Sequence, residues 1–307
     1  MEEKQKQTEM NNNRYQANKR WRIIDLIQWT TQFFEKRHIE NPRLNAERLL
    51  SRAIGLDRVQ LYLQFEKILT HNELDVFRAF VKRRISKEPL QYILGETEFM
   101  SLKFKVSPSV LIPRPDTEAL VEAVLQETAS EEPLHILDIG TGSGNIAVSL
   151  AHYLSGAQIT AVDVSEEALE LARENAALNA VDARIHFIQE DVFSPDFPLR
   201  VGTDFDIVVS NPPYISEDEF FTLPEEVRLF EPHRALRDGS DGLTFHRRIA
   251  ELGGELLRDG GKIYLEVGME QAARVRQILQ EIGFEAVSTV QDLTGIDRVV
   301  LAKKKSN

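Results

Sequence analysis

From Pro113 onward, short apolar runs alternate with stretches whose apolar residues recur at helical spacing. The runs lie near residues 134, 159, 185, 206 and 263, which predicts five strands. Helical spacing covers Asp116 to Thr128, Asn145 to Tyr153, Ser165 to Asn179, Gly242 to Leu257 and Met269 to Ile282. Glu166 and Glu167 fall in the first turn of the third helix, where they complement its dipole. Two final strands, near 285 and 298, would close the chain as a hairpin. Alternation of this kind predicts an α/β fold: a doubly wound, mostly parallel seven-stranded sheet with helices on both faces.

The chain before Pro89 has a different rhythm. Trp21, Ile24, Leu26, Ile27, Phe33 and Phe34 recur near helical spacing, and Asn41-Pro42 opens another helix with proline at its first position. Thr70-x-x-Glu73 is a capping box ahead of Leu74, Phe77, Phe80 and Val81. Four or five short helices, punctuated by Gly55 and Pro89, predict a small bundle. Thr97 to Met100 and Lys103 to Val106 flank Ser101-Leu102 and predict a hairpin. The expected organisation is a disordered tail at 1–20, a helical domain at 21–90, a hairpin linker at 91–112 and the α/β domain at 113–307.

Chemistry enters at Asn211-Pro212-Pro213-Tyr214, directly after the apolar run 205–210. Each proline removes a backbone N–H and fixes φ, so the strand ends here and the carbonyls of Asn211 and Pro212 stand rigid without a local donor. The Asn carboxamide oxygen and a Pro carbonyl can accept both hydrogens of a planar –NH2 group, and Tyr214 can stack on its plane. An ordinary Asn-Pro turn would show the same residues. A second motif weighs against that reading. Leu134 to Leu137 is followed by Asp138-Ile139-Gly140-Thr141-Gly142-Ser143-Gly144 and then a helix, the opening of a nucleotide-binding α/β unit. Asn145 stands where a dinucleotide fingerprint carries its third glycine, and no Lys-Ser or Lys-Thr follows as in a P-loop. The next strand ends in Asp163, placed to accept hydrogen bonds from ribose hydroxyls. Ribose without pyrophosphate is the implied ligand.

These motifs, with Gln189-Glu190-Asp191 after a third strand, resemble the class I S-adenosylmethionine-dependent methyltransferases of amino or amide nitrogen. Pro89 to Gly95, Leu111 to Glu118, Glu231-Pro232 and Asp241-Gly242-Leu243 make the chain similar, within that group, to the peptide chain release factor glutamine methyltransferases from about Trp21 to Val300. The resemblance implies methyl transfer from S-adenosylmethionine to the N5 amide nitrogen of the glutamine in a release factor's Gly-Gly-Gln motif. It implies a donor site in which the backbone N–H groups of Gly140, Thr141, Gly142, Ser143 and Gly144 hold the methionine portion, Asp163 the ribose and Asp191 the adenine amino group. Val192 or Phe193 would flank the base, since relatives place a large aromatic where Val192 stands. Asn211, Pro212 and Tyr214 would be catalytic, Asn211 also touching the donor and Pro213 completing the substrate pocket.

Composition bounds these readings. The 307 residues, 42% hydrophobic, suffice for two domains. There is no cysteine, and the seven histidines are scattered, so no metal is expected. No apolar stretch approaches membrane-spanning length and the N-terminus lacks signal-peptide form, which fits a bacterial-type cytoplasmic enzyme. The net charge of −12 is uneven: residues 1–90 hold 18 Lys and Arg against 12 Asp and Glu, whereas the remainder holds 19 against 37. Lys82-Arg83-Arg84 with Lys87 is the densest basic cluster, and it suits an acidic protein partner. A DNA adenine N6-methyltransferase is the alternative, because a flipped adenine presents the same amine. An acidic catalytic domain opposes it by repelling phosphates. A non-catalytic binding module is disfavoured by two intact motifs.

Overall fold

The computed structural model describes residues 20–129, 131 and 133–306. The expected tail therefore lies outside the described residues except for Arg20. Two compact units divide between Leu94 and Gly95. The first contains α1 (Ile23–Glu35), α2 (Pro42–Ile54), α3 (Arg58–Leu63), α4 (His71–Ile85) and α5 (Leu90–Leu94). Their apolar stripes meet around Phe34, Leu49 and Leu50, each removed from solvent. Thr70 caps α4 as a full capping box, its hydroxyl accepting from the Glu73 N–H. The basic cluster is not the open surface its sequence suggests. Arg84 is buried, donating to Asn45 Oδ1 at 2.8 Å and to the Glu88 carbonyl at 3.0 Å, while Arg83 is paired with Glu88. Arg84 is thus spent inside the bundle, whereas Lys82 and Arg83 are exposed.

The second unit begins with a hairpin of β1 (Glu96–Phe99) and β2 (Leu102–Lys105). It turns at Met100-Ser101, both at positive φ, one residue earlier than the sequence predicts. The pairing explains the shift: Glu98 faces Lys103 and Glu96 faces Lys105, while Thr97, Phe99, Leu102 and Phe104 share the inner face. Expected as a linker, the hairpin is packed into this unit, with Lys105 donating its N–H to Asn175 Oδ1 at 2.7 Å.

There follow α6 (Glu118–Gln126), β3 (Leu134–Ile139), α7 (Asn145–Tyr153), β4 (Ala157–Asp163), α8 (Glu166–Leu178), β5 (Ile185–Gln189), α9 (Phe197–Val201) and β6 (Phe205–Ser210). After α10 (Glu217–Phe220) and α11 (Glu225–Phe230) come α12 (Thr244–Leu256), β7 (Leu257–Glu266), α13 (Ala272–Ile282), β8 (Glu285–Gln291) and β9 (Asp297–Lys303). The seven-stranded sheet has the order β5-β4-β3-β6-β7-β9-β8, parallel except for β9, which runs antiparallel to both neighbours. Both faces are covered, so the central strands carry apolar residues on both sides. Ile136, Ile207 and Tyr264 point into one core, and Leu137, Val208 and Leu265 into the other. The carboxyl ends of β3, β4, β5 and β6 lead to Gly140, Asp163, Asp191 and Asn211, so the fold gathers the sequence candidates on one edge.

Candidate active site

The turn between β3 and α7 is shaped by three glycines at φ of 78°, 56° and 78°, Gly140, Gly142 and Gly144. A Cβ at Gly144 would lie 3.0 Å from the Ala172 Cβ, so this glycine lets the loop rest on α8, whereas the spaces beside Gly140 and Gly142 are open. The loop's N–H groups are largely spent inside the protein. Gly140 and Thr141 donate to the Val162 carbonyl at 2.8 and 2.9 Å, Gly142 to Asp163 Oδ2 at 2.9 Å and Gly144 to the Thr141 carbonyl at 2.8 Å. Close approach to the backbone at Gly140 and Gly142 is what the loop adds to these bonds.

Asp138, fully buried behind the turn, accepts from Thr141 Oγ1 at 2.7 Å, and burial pushes its carboxyl up to about 7. Asp163 accepts from Gly142 and from the Ser165 N–H, 2.9 Å each, and burial raises it above the usual carboxylate range. Asp191 is exposed, and its Oδ1 accepts the Phe193 N–H at 2.9 Å. Val192 is 9% exposed and Phe193 44%, its ring edge-on to Phe245 at 5.0 Å. Both line the same cavity.

At the end of β6, Ser210 Oγ donates to the Ile139 carbonyl at 2.6 Å and so fixes this strand end to that of β3. Asn211 Nδ2 donates to Thr117 Oγ1 at 3.1 Å, which turns Oδ1 to the other side. Neither Asn211 Oδ1 nor the Pro212 carbonyl accepts a hydrogen bond among the described residues. Tyr214 is held by its backbone, whose carbonyl accepts from Gln271 Nε2 at 2.9 Å, and its hydroxyl lies 3.5 Å from Glu266 Oε1. Gly242 makes this possible: at φ +82° it brings its Cα against Tyr214, and a Cβ there would sit 2.7 Å from the Tyr214 carbonyl oxygen. We expect Gly242→Ala to destabilise the protein by about 1–3 kcal/mol through backbone strain and overlap. Thermal unfolding of the variant checks this.

Two cavities meet at the Asn-Pro pair. One, of about 320 Å³, is lined by the glycine turn, Asp163, Asp191 and Val192, and also by Pro213; the other, of about 270 Å³, contains Tyr214. Asn211, Pro212, Leu111 and Arg114 line both. The structure thus brings the sequence candidates to one of two joined spaces, except Gly144, which lines neither and rests on α8.

Sequence reasoning missed several neighbours. Glu231, 3% exposed, accepts from Arg114 Nη2 at 2.6 Å and from the Ile112 N–H at 3.2 Å, tying together two segments beside the cavities. Glu266, at the carboxyl end of β7, is fully buried and pushed up to about 7, chiefly by burial; the neighbouring Thr117 hydroxyl and Arg298 guanidinium oppose that rise. A carboxylate closing a parallel strand was the available signal. For Thr117 there was none.

Among the described residues no helix is long and apolar enough to cross a membrane, and no cluster of His, Asp and Glu could hold a metal ion. Residues 25–95 match the family described as PrmC N-terminal domain, and residues 115–241 that described as Methyltransferase small domain. The chain is 44% identical over 283 residues to the release factor glutamine methyltransferase of Chlorobaculum tepidum, covering 91% of this chain and 96% of the relative. It is 45% identical over 280 residues to that of Geobacter sulfurreducens, with the same two coverages. The Vibrio cholerae relative of the same name is 42% identical over 276 residues, or 90% of this chain and 94% of the relative. With such identity sustained across nine-tenths of the sequence, through both the helical unit and the sheet unit, this chain belongs to the release factor glutamine methyltransferases.

Proposed function

We propose that the protein transfers a methyl group from S-adenosylmethionine to the N5 amide nitrogen of the glutamine in the Gly-Gly-Gln motif of peptide chain release factors, in the cytoplasm. The observation that carries this reading is the pair of unengaged acceptors, Asn211 Oδ1 and the Pro212 carbonyl, at the junction of two cavities. The larger cavity suits the donor. Asp163, lining it, would take the ribose hydroxyls and Asp191 the adenine amino group, with Val192 as a buried wall and Phe193 as a half-open aromatic edge for the base. Gly140 and Gly142 leave room for close approach.

A sulfonium methyl is already an activated electrophile, so the chain's task is to align the acceptor nitrogen with it and exclude water. An amide nitrogen is a poor nucleophile because its lone pair is delocalised into the carbonyl. Asn211 Oδ1 and the Pro212 carbonyl accept both its hydrogens, raise electron density on nitrogen and fix its direction. That interaction strengthens as positive charge develops on nitrogen. Tyr214 packs on the amide plane and Pro213 stiffens the pocket. No side-chain base is needed, because the methylated amide nitrogen readily loses its proton to solvent. The helical unit, expected over residues 21–90, would recognise the body of the release factor.

Tritium transfer from labelled S-adenosylmethionine to full-length release factor, duplex DNA and free glutamine tests the reading. Label on release factor, lost when its Gly-Gly-Gln glutamine is replaced, is the expected result. Efficient labelling of DNA would overturn it. The adenine alternative is not favoured, since the relatives carry a protein-glutamine name and the second unit is acidic.

A further inference from the structure

We propose that Thr117 and Glu266 are positioning residues that set which way the Asn211 carboxamide faces. The proposal rests on the reading of Asn211 as the amide clamp and deepens it. Thr117 precedes α6 at the position where a threonine ordinarily caps a helix, yet its side chain makes no capping bond. Thr117 is instead only 1% exposed; its hydroxyl accepts from Asn211 Nδ2 at 3.1 Å and neighbours the Glu266 side chain, itself 1% exposed, whose Oε2 has no hydrogen-bond partner among the described residues.

The direction of this chain follows from proton count. A hydroxyl has one hydrogen. In its ionised form Glu266 can only accept, and a Thr117 hydrogen turned to its unpartnered Oε2 leaves the hydroxyl oxygen's lone pairs facing Asn211. Only the Nδ2 end of the carboxamide satisfies them. With the amide turned over, Asn211 Oδ1 would face the Thr117 oxygen with no proton between them, and Nδ2 would face the substrate amide, whose hydrogens it cannot accept. Glu266 is held for this task from several sides: Arg298 on β9 faces the carboxylate, and His246 Nε2 on α12 is 2.8 Å from the Glu266 backbone carbonyl. Tyr214 and Asp116 complete its surroundings. The Thr117–Glu266 pair thereby selects one of two nearly isosteric states of the catalytic side chain.

The test uses the full chain, saturating S-adenosylmethionine and a short Gly-Gly-Gln peptide. Thr117→Val keeps the shape but loses the hydroxyl. It should lower kcat about ten- to a hundredfold, the scale of losing a supporting hydrogen bond at a site that must be held within ~0.5 Å, while the donor Kd by calorimetry stays within about twofold. Thr117→Ser, which restores the hydroxyl, should bring kcat back to within about threefold of wild type. In an Asn211→Ala background, Thr117→Val should cost about twofold or less, because the two act as one unit. If valine disturbs folding, as a shifted donor Kd or melting temperature would show, Thr117→Ala carries the same expectations. Full turnover in Thr117→Val beside a crippled Asn211→Ala would overturn the relay and leave the clamp standing. Independent, multiplying losses in the double variant would also overturn it. Normal turnover in Asn211→Ala would remove the clamp itself, and the relay with it.

Discussion

Replacing Asn211 with alanine should lower turnover about a hundred- to a thousandfold, or ~2.7–4 kcal/mol, with donor affinity changed far less. The expectation comes from where the side chain stands. Asn211 is at the seam of the two cavities, its Nδ2 committed to Thr117 and its Oδ1 open. An acceptor there is used weakly by a ground-state amide and strongly once the nitrogen gains a methyl and positive charge. Losing it therefore raises the barrier more than it weakens binding. Asn211→Asp is the informative companion. It keeps an acceptor, but both oxygens now repel the Thr117 oxygen's lone pairs, and it adds charge beside the sulfonium. Single-turnover rates with peptide, paired with donor calorimetry, separate the two effects. If either variant turned over at the wild-type rate, the amide-clamp mechanism would be abandoned.

The features legible in the sequence were those written in local spacing. The runs at 134–139, 157–163 and 205–210 are short and mostly apolar on both faces because both faces of a central parallel strand are buried, and this separates them from the helices that follow. Glycines at 140, 142 and 144 and the prolines after Asn211 mark sharp strand ends, so the edge that carries the site could be read before the fold was seen. What escaped was set by tertiary pairing. Thr117 falls inside the helix expected over Asp116 to Thr128, and only the approach of Asn211, 94 positions later in the chain, gives its hydroxyl a partner. Glu231 bonds Ile112 and Arg114 across a similar distance. Arg84 reads as part of an exposed basic run, yet its place on α4 buries it against Asn45. The hairpin turn was misplaced by one residue because composition at 100–102 does not distinguish the registers, whereas cross-strand charge pairing and the inner apolar face do. For the same reason, reversing Arg83 and Arg84 would test the stability of the bundle more than its attraction for a partner. Lys82, exposed beside them, is the better probe of steering.

Asp163→Ala should weaken S-adenosylmethionine binding by about 1–3 kcal/mol, the cost of removing a charged acceptor from a part-buried site, with the fold preserved. Asp163 sits between the glycine turn and α8, each carboxylate oxygen accepting one backbone N–H, from Gly142 and from Ser165. Each oxygen has a further lone pair, enough for the two ribose hydroxyls. The pH dependence has a definite sign. Burial raises the carboxyl above the ordinary aspartate range, and ribose hydroxyls donate to its ionised form. Donor affinity should therefore fall as pH drops, starting at a higher pH than an unperturbed carboxylate would allow, and this dependence should flatten in Asp163→Asn. That variant keeps one acceptor and should lose less affinity than the alanine. Calorimetric titration of the three proteins across pH, with melting temperature as the check on folding, measures all of this. Unchanged donor affinity in Asp163→Ala would move the ribose elsewhere in the cavity and leave Asp163 as a brace between the turn and α8.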